Sequence, residues 1–215
     1  MKKNEVSVYL ESIENKYNIN FLSIFWKKSD SDEMLWLTKS YDRIRDNISE
    51  LIISKSCFFS SFGDCEFIPF MYYDERVSEL YESINYDIKL KEEDFCINPN
   101  YKLIPFAFMA SGDVYCFLYT HKYNNKEDDN PLIIVYGHDT GDFYVWANNF
   151  EEFLFWQIVS ELTDYEGDIQ SEQMQYNISL LSKEYIEQLK CPIQKLIEKI
   201  PNPKPVDIFV LNKRK

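Results

Sequence analysis

Apolar positions along the chain follow two periods, and each period predicts a different element. At the start, Val6, Tyr9, Leu10, Ile13 and Tyr17 recur at helical spacing, which predicts an amphipathic helix of about four turns. A second helix is expected over SYDRIRDNISELIIS, residues 40–54, where Ile44, Ile48, Leu51 and Ile52 share a face. The intervening INFLSIFWKKSDSDEMLWL follows neither period. CEFIPFMYY, residues 65–73, reads as a short strand that Pro69 restricts to an edge or a bulge, because proline cannot donate to a strand ladder. Residues 74–94 carry eight acids against three bases, and Val77, Leu80, Tyr81 and Ile84 predict a short helix there, an exposed element or insertion.

The period then switches to two. YKLIPFAFMA, VYCFLYTH, PLIIVYGHD and FYVWAN are strand-like runs separated by SGD, KYNNKEDDN and TGD, which supply turn-forming residues at each corner. They predict a four-stranded antiparallel meander over residues 101–148. Asn149 stands three residues before Glu152 and so caps a helix over FEEFLFWQIVSEL. Phe150, Phe153, Leu154, Ile158 and Leu162 give that helix one apolar face; Phe155, Trp156 and Val159 widen it, as expected for a helix covered on two sides. Tail helices within SKEYIEQLKCPIQKLIEKI are the expected second cover, with Pro192 placed to begin a new segment. PNPKP breaks this pattern as a linker before a last strand-like VDIFVL. The fold class is therefore α+β, a four- to six-stranded and mostly antiparallel sheet with flanking helices and a C-terminal helical extension.

Composition narrows the classes of function. Hydrophobic residues make up 45% of the 215 positions, enough for a globular core. The N-terminus has no signal-peptide pattern, and the longest apolar runs fall well short of the roughly 20 residues that span a bilayer. Five cysteines, at 57, 65, 96, 116 and 191, form no CxxC pair and are odd in number, which predicts reduced core thiols in a cytoplasmic protein. Trp146 and Trp156 are expected to pack helix against sheet. The formal charge of −13 opposes attraction to nucleic acid and to anionic membranes, and favours a basic protein partner. Acids crowd a stretch from Glu127 through Ser182 that holds not one Lys or Arg. Within it, Glu127, Asp128, Asp129, Asp164, Glu166 and Asp168 are the expected partner-binding residues, on loops that leave them exposed.

Candidate chemistry concentrates in GHDTGD, residues 137–142. His138, Asp139 and Asp142 could in principle ligate a divalent metal or serve a metal-assisted hydrolase, but Asp-Thr-Gly-Asp is a sound turn sequence without any ion. The corner of a hairpin is the simpler assignment. Cys116 lies between Tyr115 and Phe117 in a strand and is expected to be a packed thiol. No phosphate-binding glycine loop is present. Neither a catalytic group, a metal nor a cofactor is expected.

The order of these pieces carries a resemblance. LIPFAFMASGDVYCFLY, then LIIVYGHDTGDFYVWA, then NNFEEFL, spanning residues 97–154, resembles the SUKH superfamily, which includes bacterial immunity proteins and fungal cell-wall-assembly regulators with an SMI/KNR-like domain. The resemblance implies a SUKH-like domain over residues 1–162, with residues 163–215 an extension packed on it. It implies an immunity role, in which the chain binds and neutralises a cognate bacterial toxin, such as a nuclease with a basic cleft. A regulatory scaffold of the cell-wall-assembly type is the alternative, differing in its partner.

Overall fold

The computed structural model describes residues 5–29, 34, 37–39, 65–90, 94–120, 130–164, 169–200 and 202–211. The expected helix over residues 40–54, along with Cys57, lies outside them. Six strands form one antiparallel sheet in the order β1-β3-β4-β5-β6-β7: β1 (Glu66–Phe67), β3 (Tyr101–Phe108), β4 (Val114–Thr120), β5 (Leu132–Gly137), β6 (Asp142–Ala147) and β7 (Lys204–Pro205). Strands β2 (Phe95–Ile97) and β8 (Phe209–Leu211) pair antiparallel in a second, two-stranded sheet. The predicted meander is the centre of the larger sheet, and the run around Pro69 is cut short to the edge strand β1 before a single 3-10 turn, Phe70–Tyr72. IPNPKP is more than a linker. Its Lys204 and Pro205 pair with Val145 and Tyr144 of β6, at an edge where a proline's missing N–H leaves no ladder bond unmade.

Both faces of the sheet are buried, and β4 shows why the alternation in VYCFLY is of size rather than polarity. Tyr115, Phe117 and Tyr119 enter one core, while Val114, Cys116 and Leu118 enter another. On the first face, Phe106 stacks on Phe117 with ring centroids 4.2 Å apart and meets Phe153 edge-on at 5.3 Å. Helices α1 (Glu5–Tyr17), α2 (Ser23–Ser29) and α4 (Phe150–Asp164) contribute to this core, through Val6, Leu10 and Ile13, through Phe25, and through Phe153, Leu154 and Ile158.

The opening helix stops at Asn18, whose positive φ of 49° lets Ile19 N–H bond back to Glu14 O at 3.1 Å. The Glu14 side chain then fixes the next turn. Its Oε1 accepts from Phe21 N–H at 2.6 Å and from the Trp26 indole N–H at 2.8 Å. At the start of α4, Asn149 Oδ1 accepts from Glu152 N–H at 2.8 Å. Glu152 reaches back one residue further than a capping box requires, to Asn148 N–H at 2.7 Å.

The acidic helix is not the short exposed insertion its charge suggests. Helix α3 (Tyr73–Leu90) runs 18 residues, with Tyr73, Val77, Leu80 and Ile84 buried. Leu80 and Ile84 join the second core together with Leu103, Tyr136, Phe143 and Ile208. Asp74, Glu75, Glu79 and Glu82 are exposed on the helix, and the sheet needs a cover on that face. Helices α5 (Glu172–Ser179), α6 (Lys183–Gln188) and α7 (Ile193–Ile197) follow α4, and Met174, Leu181 and Leu196 enter the first core. Cys65 and Cys116 are core thiols as expected, but Cys96 is half-buried and Cys191 exposed; all four are free. Trp146 and Trp156 are partly buried against the first core, Trp146 meeting Tyr115 edge-on at 5.8 Å.

Two substitutions separate the core from its caps. Phe106→Ala removes a fully buried ring and is expected to cost about 3–5 kcal/mol, whereas Asn149→Ala, which loses one capping bond, should cost about 1 kcal/mol. Urea midpoints of the two variants against the parent chain check both.

Candidate functional site

Two turns meet at one end of the sheet. Between β3 and β4, Gly112 adopts φ 95° and its N–H bonds to Met109 O at 2.9 Å, while Ser111 Oγ lies 3.1 Å from Asp113 Oδ2. Between β5 and β6, Gly141 adopts φ 66° and its N–H bonds to Gly137 O at 2.8 Å. Val114 pairs with Tyr136, so the register of β4 on β5 brings the two corners side by side.

His138 joins them. Its backbone N–H donates to Asp113 Oδ1 at 3.1 Å, and ring Nδ1 lies 3.1 Å from the same oxygen. Nε2 lies 3.0 Å from Asp139 Oδ1. The ring covers Gly112 so closely that a Cβ there would stand 3.1 Å from its Cε1, which explains why the SGD corner carries a glycine beyond its need for positive φ. The hydrogen bond to Asp113 raises the His138 pKa, desolvation opposes it, and the charges of Asp139 and Asp113 add to the rise. Partial burial pulls the Asp113 carboxyl up, but the bonds from the His138 ring, the His138 N–H and Ser111 bring it below its ordinary value. With both ring nitrogens facing carboxylates of its own chain, the imidazole is a clamp between corners and presents no open lone pair. Among the described residues, no group of three or more His, Cys, Asp or Glu side chains is placed to hold a metal ion. Cys116 is wholly buried, and burial pushes its thiol up, away from the reactive thiolate.

Beside this corner lies a cleft of about 390 Å³ between α3, β6 and the terminal segment. Its aromatic lining comes from Phe95, Phe143, Tyr144 and Phe209, with Phe143 and Phe209 in edge contact at 5.8 Å. Asp87, Asp142 and Asp207 bring carboxylates to it from three separate parts of the chain. Asp87 Oδ2 accepts from Tyr136 O–H at 2.5 Å, and a Cβ on Gly141 would fall 2.7 Å from that same oxygen, so glycine lets the turn close on the carboxylate. Burial and the Asp87 bond both raise the Tyr136 phenol. Asp207 Oδ1 accepts from Phe209 N–H at 2.9 Å. A second cleft of about 320 Å³ lies between α2, α4 and the Leu180–Ser182 segment, but the carboxylate that lines it, Glu151, already accepts from Ser182 N–H.

Of the residues expected to contact a partner, Glu127, Asp128, Asp129, Glu166 and Asp168 lie outside the described residues, and Asp164 is the last residue of α4. The structure thus brings together a different set, Asp87, Asp142 and Asp207. Only Asp142 belonged to a motif singled out in the sequence. Nothing in the spacing of Asp87 and Asp207 could have joined them to it, since the pairing of β7 on β6 and the packing of α3 create the neighbourhood. No helix among the described residues is long and apolar enough to cross a membrane.

Residues 12–156, more than half of the chain, match the model of the SMI1 / KNR4 family (SUKH-1), and the chain belongs to that family. No curated protein and no solved structure gives a significant match.

The clamp predicts a pH dependence with a definite sign. A histidine whose pKa is raised by folding stabilises the native state fully below its unfolded value near 6.5, and that contribution disappears as pH rises through the folded value. The stability lost in His138→Gln should therefore be greatest between about pH 5 and 6, where Asp113 remains ionised, and fade toward pH 8.5. Denaturant midpoints of both proteins across this range give the comparison; equal gaps at both ends would contradict it. Gly112→Ala should cost about 1 kcal/mol or more at every pH, because its φ of 95° strains any residue with a Cβ and the His138 ring would have to give way to the methyl group.

Proposed function

We propose that this member of the SMI1/KNR4 family is an immunity protein, binding a cognate bacterial toxin in the cytoplasm and neutralising it by occupancy rather than by chemistry. The observation that carries the reading is family membership joined to a formal charge of −13. A basic catalytic cleft, such as that of a nuclease, attracts phosphates; a surface of carboxylates offers the same charge pattern without a bond to cut. Summed over the molecule, that field steers a cationic partner inward at up to roughly 10⁸–10⁹ M⁻¹s⁻¹ at low salt. The engagement of both His138 nitrogens by Asp113 and Asp139 supports a non-catalytic role.

The partner-facing carboxylates we assign are Glu127, Asp128, Asp129, Asp164, Glu166 and Asp168, within the stretch that lacks Lys and Arg. Co-expression with the product of the adjacent gene tests the role directly. Co-purification and rescue of growth from that product are the expected results; absence of both would end the immunity reading, and a cell-wall gene next door would favour the regulatory alternative.

With a partner in hand, reversing these six acids should slow association far more than it lowers the unfolding midpoint. Raised salt should slow the parent in the same way, because exposed charges act at range and are screened. Association rates measured by stopped flow at two ionic strengths decide the matter, and indifference to both salt and reversal would exclude electrostatic capture.

A further inference from the structure

We propose that the aromatic cleft between α3, β6 and the terminal segment is a socket for one arginine side chain of the protein partner. The assignment rests on the neutralising role proposed above and locates its anchor point.

The cleft combines two features that a single ligand class satisfies. Phe95, Tyr144 and Phe209, each partly exposed, give it aromatic surface, and Asp87, Asp142 and Asp207 give it carboxylates. A guanidinium uses both at once: its flat face stacks on a ring while its in-plane N–H groups donate to carboxylate oxygens. An ammonium group carries the charge but has no face to stack, and an anion is repelled. At about 390 Å³ the space is near the lower end of ligand-pocket volumes, suited to one long side chain rather than to a helix or strand.

Asp87 and Asp207 are oriented but not neutralised by the hydrogen bonds they accept. Tyr136 O–H holds Asp87 and Phe209 N–H holds Asp207, both donors being uncharged. Neither aspartate takes part in an ion pair among the described residues. A second copy of the chain, also at −13, is a poor occupant, whereas a cationic partner is complementary. Arginine, with Trp and Tyr, is also among the side chains enriched at the desolvated pockets that dominate interface binding energy.

The test titrates N-acetyl-arginine amide into the full ¹⁵N-labelled chain, with N-acetyl-citrulline amide as the uncharged isostere. Saturable shifts in the amides of Gly141, Phe143, Val206 and Phe209 are expected with arginine and none with citrulline. The double variant Asp142→Asn, Asp207→Asn keeps an Oδ1 to accept the Phe209 N–H but removes two charges, and should bind about tenfold more weakly. An unchanged amide spectrum away from the cleft shows that the variant folds. Equal response to citrulline, or undiminished binding by the double variant, overturns the socket. So does arginine binding that appears only after residues 212–215 are removed, which assigns the cleft to the chain's own basic segment. If arginine fails to bind while the chain still neutralises the adjacent gene's product, the socket alone is lost. If arginine binds but that product is not neutralised, the immunity reading falls instead.

Discussion

The central strand β4 is buried on both sides, and the rest of the fold follows from having to cover two apolar faces. Tyr115, Phe117 and Tyr119 require one cover and Val114, Cys116 and Leu118 another. Stripping either face to water would expose apolar area worth roughly 25 cal/mol per Å². Helices α1, α2 and α4 answer the first demand and α3 with the terminal segment answers the second. The strand thus sends its large aromatic side chains into the first core and its smaller ones into the second.

Such a sheet leaves little room for polar groups except at its ends, where the corners lie. The carboxylates therefore gather beyond the strand termini, and each corner has to manage the charge it receives. At the first, Asp113 and Asp139 are bridged by His138, whose ring also fills the space over Gly112. At the second, Asp87 is held by Tyr136 and pressed against Gly141. These devices differ in consequence. The histidine supplies countercharge when protonated, whereas the phenol only directs the oxygen and leaves the negative charge in the surrounding field.

A protein that captures its target by charge gains from such an arrangement, because a rigid apolar scaffold holds carboxylates such as Asp87 and Asp207 in fixed places, where among the described residues no cation pairs with them. Electrostatic complementarity governs encounter and register, while a few well-packed contacts govern residence. The long acid-rich stretch and the aromatic cleft would then divide these tasks, the former acting at a distance and the latter on contact.

Local patterns in the sequence determined the meander, the opening helix, the cap at Asn149 and the corner role of GHDTGD. Each of these depends on side chains within a few residues of one another: period-two burial, helical spacing, a cap three residues from its partner and turn-forming residues between runs. The same local logic misjudged α3, since its eight-acid neighbourhood describes the outer side of a helix and says nothing of what lies beneath. It also took IPNPKP for a linker, because prolines argue against a strand unless the strand is an edge. Tertiary structure alone decided that Asp113 would meet His138, that β7 would dock on β6, and that Asp87, Asp142 and Asp207 would share one cleft. Those encounters depend on strand register and on which helix covers which face, and both are set by the packing of distant side chains, which leaves no periodic trace along the chain.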